Sequence, residues 1–571
     1  MMNKYEKLLN EWCEYLLSMQ RNDGGFNCEA DEMIHGRADN AIFPLVCEYK
    51  LTGDQQFLSG AEKLLKFRKL FTHDDGAVQN DFNSEWKGIT TFSAINLYKT
   101  LSNFGEILPK NFKDELEKCF KASAEWVHKN IMFGFRANIN YYAAASTVNA
   151  MYGEYFNDKK YTARAEELLD YCLKHFTENG LLAGEGQPHN FRTEKGCTPI
   201  DIGYNVEESL PCLVDTAKIL GNENSLKSLA LHTKNLLEFM LPDGGWDNSF
   251  GARNNKWTYY GSRTSDGCIA AFNELGKIDS IFFEAAERTF EILKKCTVDG
   301  KLYGGMFYKE NGQFPCVHHT FCHACALADA ICSGMTEPTK RQALPCDKNE
   351  FSCKYYPEID TYKIHAGKWI ATITGYDFST YTYGRGAAHS SGGSFSMLYH
   401  KKCGAVIAGT VYDYKLTEQN NMQLPIGNVK HATLIPRVEY EKDGRKYATC
   451  LDGNAEINVT KNANKITVKV KSKFACVEEK TFENENLFAE FIYDFSNDSV
   501  VIYVMVNEQN SDIKLVLPII KNTARILSGN HCEKENVFFL TGGFAADEYI
   551  FPLSQIHGSH SNALKITLIV E

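Results

Sequence analysis

The sequence predicts a toroid of six α/α repeats followed by an antiparallel β-sandwich. Three observations lead there. A glycine-centred turn mark recurs at intervals of roughly 50 to 60 residues through the first ~335 residues. The segments flanking each mark carry apolar residues at helical spacing. Beyond residue 363 the apolar residues alternate with period two, in runs rich in Val, Ile, Thr and Tyr. The expected organisation is a toroid over 1–335, a linker over 336–362 and a sandwich over 363–571.

Taken in order, Met1 to Gln20 mixes Lys4, Glu6, Lys7, Glu11 and Glu14 with apolar residues, an amphipathic helix rather than a signal peptide. The turn marks follow at Asn22-Asp23-Gly24-Gly25-Phe26, Asp74-Asp75-Gly76, Phe133-Gly134-Phe135, Asn179-Gly180-Leu181, Asp243-Gly244-Gly245-Trp246 and Asp299-Gly300-Lys301-Leu302. Glycine supplies the left-handed conformation that ends a helix, and Asp or Asn before it tolerates the turn. Outer helices are expected before the marks, at Phe57 to Phe71, Tyr161 to Phe176, Ser225 to Leu241 and Phe282 to Val298. More apolar inner helices are expected after them, at Asn40 to Lys50, Thr91 to Leu101, Tyr141 to Tyr155, Tyr204 to Leu220, Thr264 to Leu275 and His318 to Ile331. Inner-to-outer connections are mostly short and outer-to-inner ones mostly long, so in a closed toroid the long loops converge on one rim and frame a cleft. Between Gly334 and Tyr362, Pro338, Pro345 and Pro357 mark a boundary. Strands are expected at Lys368 to Thr374, Ala405 to Tyr412, Ile466 to Val470, Leu487 to Tyr493, Ser499 to Val506, Ile513 to Pro518 and Leu564 to Val570.

The totals narrow the function. A net charge of −11 and a pI near 5.9 argue against a nucleic-acid-coating protein. No segment approaches the ~20 consecutive apolar residues of a membrane span. The 19 cysteines lack regular spacing, so reduced buried thiols are expected. With no leader in this chain the default location is the cytoplasm, or the periplasm or exterior if a leader has been removed. The oligomeric state stays open.

Gly180 to Leu210 concentrates Glu185, His189, Asn190, Arg192, Asp201, Tyr204 and Glu207 in one loop and the first turn of the next helix, which marks it as the floor of an active site. Asn138 and Asn140 precede another inner helix, and Trp246, Arg253, Trp257, Tyr259, Tyr260 and Arg263 crowd the loop before Asp266. In the second half, Tyr381 to Ser396 is rich in small residues around Arg385 and His389, as close backbone approach requires. His318 or His319 could share a helix face with Cys322 and Cys325, but the helix is apolar and no second ligand pair follows, so no metal ligand is assigned. No nucleophile elbow, phosphate loop or dinucleotide fingerprint is present.

Two chemistries remain. Paired carboxylates among Glu185, Asp201, Glu207 and Asp266 could hydrolyse a glycosidic bond. Alternatively, a Tyr and a His could cleave a uronate polysaccharide by β-elimination, once an amide or His has neutralised the uronate carboxylate. Tyr204, with His189 and Arg192 in its loop and Arg263 on the next, suits the second. A non-catalytic glycan-binding protein is a third class.

The toroid-plus-sandwich architecture, with His389 to Phe395 reading His-x-x-Gly-Gly-Ser-Phe, resembles the heparinase II/III-type and alginate-lyase-type polysaccharide lyases over nearly the whole chain. Asn140-Tyr141-Tyr142 resembles the segment whose Asn neutralises the uronate, although Tyr141 stands where His is common. Gly203 to Ser209 resembles the segment carrying the catalytic Tyr. The resemblance implies a polysaccharide lyase acting on an acidic, uronate-containing glycan such as a glycosaminoglycan, with no required cofactor and no nucleic-acid or membrane partner. It implies that Asn140 and His189 neutralise the carboxylate, that Tyr204 moves the proton and that His389 assists from the sandwich. Arg253, Trp257, Arg263, His319, Trp246 and Arg385 are expected to hold the sugar. A structural divalent metal occurs in parts of the family, and His400, Asp413 and His431 are its loosely matching candidates here.

Overall fold

Apolar residues repeating at helical spacing need a second helix to cover them, and here a closed ring of helices does so. A computed structural model describes residues 2–30, 34–186, 189–258, 261–262, 267–378, 389–414, 416, 422–423, 430–476, 484, 486–508, 512–540, 543–553 and 563–571, with only the backbone of 257–258 and 261–262. Outer helices run Lys4–Ser18, Gln55–Arg68, Lys110–Asn130, Lys159–Leu173, Glu223–Leu236 and Ile281–Cys296. Inner helices run Ile42–Thr52, Thr90–Phe104, Ile139–Tyr155, Leu210–Ile219, Ile269–Leu275 and Val317–Cys332. The outer helices are amphipathic, whereas the inner ones are apolar on all sides because they are covered on all sides; of Ile139–Tyr155 only Tyr141, Glu154 and Tyr155 are not buried.

The turn-mark glycines also set the spacing of the ring. Gly24, Gly76, Gly180 and Gly244 have positive φ, and a Cβ on each would press against backbone of the next outer helix, at Lys63, Ala122, His232 and Arg288 respectively. Gly300 does the same more loosely against Glu11, 3.4 Å from its carbonyl oxygen, so the sixth mark meets the first helix. The ring also closes through Tyr5 Oη donating to Glu287 at 2.7 Å and Trp12 Nε1 donating to Thr297 at 3.0 Å.

Among the described residues the β region holds three antiparallel sheets. The first is a meander of Phe351–Tyr356, Thr361–Ala366, Trp369–Thr374, Ser394–His400 and Gly404–Ala408. The other two have six strands each, one centred on Phe488–Phe495 and Ser499–Val506, the other on Arg437–Lys442 and Lys514–Ile520. The first sheet is buried on both faces: Ile370, Met397 and Tyr399 pack with the toroid, while Trp369, Ala371 and Leu398 pack with the outer sheets. It begins at Phe351, inside the stretch expected to be a linker. That first strand is an edge strand, half-exposed and followed at once by Pro357, so its apolar pattern is weak.

The seam between the halves is polar as well as apolar. Lys363 Nζ meets the Asp247 carboxylate at 2.5 Å, Tyr376 Oη donates to the Thr198 carbonyl at 2.6 Å, and Tyr308 Oη donates to the Leu540 carbonyl at 2.6 Å. Among the described residues none of the 19 cysteines forms a disulfide. No helix among the described residues is long and apolar enough to cross a membrane.

Candidate active site

The fourth inner helix does not start cleanly. Asp201 caps a single turn, Ile202–Tyr204, and a π-helical segment, Asn205–Ser209, follows before the regular helix resumes at Leu210. Such wide turns rotate side chains off the helical face and often mark functional sites. Here the result is that Tyr204 and Glu208 both line one narrow pocket. Asn205 holds the turn against the preceding loop, accepting from Leu182 N at 3.1 Å and donating to Leu182 O at 3.0 Å.

Asp201 is a hub rather than a reacting group. Its carboxylate accepts from Tyr204 N (3.0 Å), Asn248 Nδ2 (3.0 Å) and Arg253 N (2.8 Å), tying the Tyr204 turn to the loop that bears Arg253. Burial raises its pKa, and these donors pull the other way. Arg253 thereby lies flat on Tyr204, its guanidinium carbon 3.5 Å from the ring centroid, with Nη1 3.2 Å from Glu185 Oε2. Glu185 is fully buried, and burial pushes its carboxyl up to about 7, against the pull of Arg253 and of the Asn140 backbone N–H.

Asn140 enters the same pocket from the first turn of Ile139–Tyr155, where the helix N-terminus adds positive potential. Its Nδ2 donates to Glu208, and its Oδ1 has no partner among the described residues. Arg37, buried and stacked 4.2 Å above Phe92, brings Nη1 to 3.9 Å from Glu208. Trp86 forms the remaining wall and donates from Nε1 to Tyr141 Oη at 2.9 Å. The pocket thus presents two amides (Asn80 and Asn140), two phenols (Tyr141 and Tyr204) and two guanidinium groups around one carboxylate.

Of the expected residues, Asn140, Tyr204 and Arg253 are brought together here. His189 is not in this pocket: it lines a neighbouring groove, with Nε2 2.6 Å from Tyr171 Oη and its ring on Tyr142, and burial lowers its pKa. His389 is buried ahead of the strand Ser394–His400, in an isolated antiparallel bridge with Val411, and is not among the side chains lining the pocket. The glycines after it have a packing role, since side chains on Gly392 and Gly393 would collide with Thr449 and Val470. Trp246 and His319 are not among the side chains lining this pocket. Trp246 is a core residue on Phe272, filling under its turn mark as Phe26 does under the first. His319 is fully buried against His323, because the last inner helix is covered on every side. Trp257, Arg263 and Arg385, as well as Asp266, fall on side chains outside the described residues.

Sequence reasoning missed Arg37, Trp86 and Glu208. Arg37 and Trp86 stand in long outer-to-inner loops, the same signal that flagged Arg253. Glu208 depended on the π turn, which no local pattern announces.

Of the suggested metal ligands, Asp413 lies near His431, its charge opposing the lowering of that imidazole's pKa by burial, and His400 stands in a different sheet. His400 accepts from Lys402 N and packs on Trp369, whereas His431 accepts from Leu540 N and stacks on Phe539 in another sheet. Among the described residues no group of three or more His, Cys, Asp or Glu side chains could hold a metal ion. A carboxylate pair suited to hydrolysis is also missing from the pocket among the described residues: Glu208 lines it alone, with Asp201 and Glu185 buried behind Tyr204.

Comparison with known proteins identifies the family. The sequence model of the ulvan lyase N-terminal domain matches residues 9–348, and that of the ulvan lyase C-terminal domain matches residues 353–534. The broad-specificity ulvan lyase of Formosa agariphila is 31% identical over 555 residues, covering 94% of this chain and 84% of that protein. The chondroitin AC lyase of Streptomyces coelicolor A3, solved with chondroitin sulphate, superimposes with a TM-score of 0.55 at 12% identity, covering 100% of this chain and 80% of that one, a likeness of fold.

Proposed function

The chain belongs to the ulvan lyase family and is a polysaccharide lyase, and from that premise we propose that it cleaves ulvan at a uronate unit by β-elimination. The related enzyme's name favours ulvan over the glycosaminoglycan that the sequence alone suggested. The observation that carries the mechanism is the Arg253 guanidinium 3.5 Å above the Tyr204 ring, in a pocket shared with Asn140.

A proton α to a carboxylate is released only when the developing enolate charge is stabilised. Asn140, with the helix N-terminus behind it and Arg37 and Arg253 beside it, supplies that stabilisation at the uronate carboxyl. Glu208 holds the Asn140 amide in place. Arg253 stabilises the phenolate of Tyr204 electrostatically, which equips the phenol oxygen to take the C5 proton. The C5–H electron pair becomes the C4–C5 double bond, the C4–O bond breaks, and the departing oxygen takes the proton back from Tyr204. Every step is a proton transfer or bond shift within substrate and side chains, so the reaction as written uses no cofactor. His189 and His389 have no assigned proton in this scheme.

The test is ultraviolet absorbance of the conjugated product during incubation with ulvan, alongside heparan, chondroitin and alginate. Tyr204→Phe is expected to lower turnover by about 10³-fold or more while ulvan binding persists. Undiminished turnover in that variant would remove Tyr204 from the mechanism. Reducing ends without the ultraviolet signal would indicate hydrolysis.

A further inference from the structure

Beside the pocket lies a second, wider space that the mechanism does not use. It is an open groove of about 760 Å³ at the seam of toroid and sandwich, between the turn after helix Lys159–Leu173, the loop at 189–196 and Pro357-Glu358. It shares no lining residue with the Asn140–Tyr204 pocket.

Two groups of rings on one loop stand between them. Trp86, in the pocket, lies 6.0 Å from Phe135. Phe133, two residues earlier on the same loop, lies 5.0 Å from Tyr171, which in turn lies 4.5 Å from His175 in the groove. Phe133 is 49% exposed and its neighbour Met132 45%, so this loop presents bare apolar surface between two polar cavities. An exposed apolar patch bordered by polar groups is a mark of a binding surface.

The groove itself offers cations. Lys174 and Arg192 line it, both exposed, and neither pairs with a carboxylate among the described residues. The other charges are mostly committed. Lys195 is bound to Asp360 and two carbonyls, and Glu358 accepts from Thr177 and Asn179, which leaves Glu178 as the remaining carboxylate on the wall. In a chain of net charge −11, uncommitted cations at the end of a ring platform suit an anionic chain.

We propose that this platform and groove form an extended binding tract for the anionic polysaccharide. The uronate carboxyl of the sugar being cleaved reaches into the narrow Asn140–Tyr204 pocket, the next units lie on Trp86, Phe135 and Phe133, and the chain's anionic groups reach Lys174 and Arg192. The proposal rests on the lyase reading and deepens it, by assigning residues that grip polymer remote from the bond that breaks.

The test reads affinity for ulvan by retardation in polymer-containing native gels, using the full chain carrying Tyr204→Phe so that the polymer stays intact. Adding Lys174→Glu and Arg192→Glu together is expected to weaken binding about tenfold at low salt, with the difference shrinking as salt screens it. Phe133→Ala is expected to weaken binding roughly fivefold at every salt concentration, and Phe133→Tyr to restore it. All three positions are exposed, and unchanged melting temperatures would show that folding is intact. Retardation within twofold of the parent in either the charge variant or the ring variant overturns the tract. Failure of the lyase reading would show separately, as absence of unsaturated product from the unsubstituted chain.

Discussion

Glu185 is buried beneath the pocket, and burial pushes its carboxyl up to about 7 from an ordinary value of 4.5. A carboxyl raised in the folded state binds its proton more tightly there than in the unfolded chain. Its contribution to stability is therefore fully present below about pH 4.5 and is lost as pH rises through about 7. Glu185→Gln removes that titration. Thermal melts should show the variant gaining on the parent by several degrees between pH 5 and pH 8, and a constant difference across that range would show that Glu185 does not titrate there. The same residue faces Arg253, so ionised Glu185 competes with the Tyr204 ring for that cation. Asp201 differs although it is equally buried, because three donors hold its carboxylate and its work is positional.

At the scale of elements, the turn marks carry more than a chain reversal. Gly244 and Gly134 have nearly the same backbone conformation, φ +93° and +92°. A Cβ on Gly244 would strike the Arg288 carbonyl, whereas one on Gly134 meets nothing within 4 Å. Gly134→Ala should therefore cost only the conformational strain, about 1 kcal/mol, and Gly244→Ala roughly 2–4 kcal/mol as strain and collision add. Urea denaturation of the two variants checks this directly; equal losses would mean that the inter-repeat approach has little energetic weight. The π turn at 205–209 has a comparable double role, since it relaxes one inner helix and sets Tyr204 and Glu208 around a single pocket.

At the scale of the whole molecule, the first sheet is shared between two cores, and a buried ion pair pins it to the toroid. Lys363 and Asp247 are 1% and 0% exposed, with Thr372 also donating to Asp247. Lys363→Met should destabilise the protein by about 3–5 kcal/mol, because it strands a buried carboxylate. Adding Asp247→Asn should recover a substantial part of that loss, as measured by urea midpoint; no recovery would show that packing rather than charge was at stake. The sequence by itself determined the local matters: a six-repeat ring from apolar period and glycine marks, with every ring helix but Lys110–Asn130 placed, strands from alternation, and Asn140, Tyr204 and Arg253 as polar residues in or just after the long loops. These were legible because helical period, turn chemistry and loop polarity are properties of neighbouring residues. Only the tertiary structure decided that Trp246 and His319 are core, that His189 faces a groove rather than the pocket, and that Arg37, Trp86 and Glu208 complete the site. It also decided that the sheets begin at Phe351. Those outcomes depend on which surfaces meet when the ring closes and the sandwich docks, and burial and pairing between residues far apart in the chain leave no periodic trace along it.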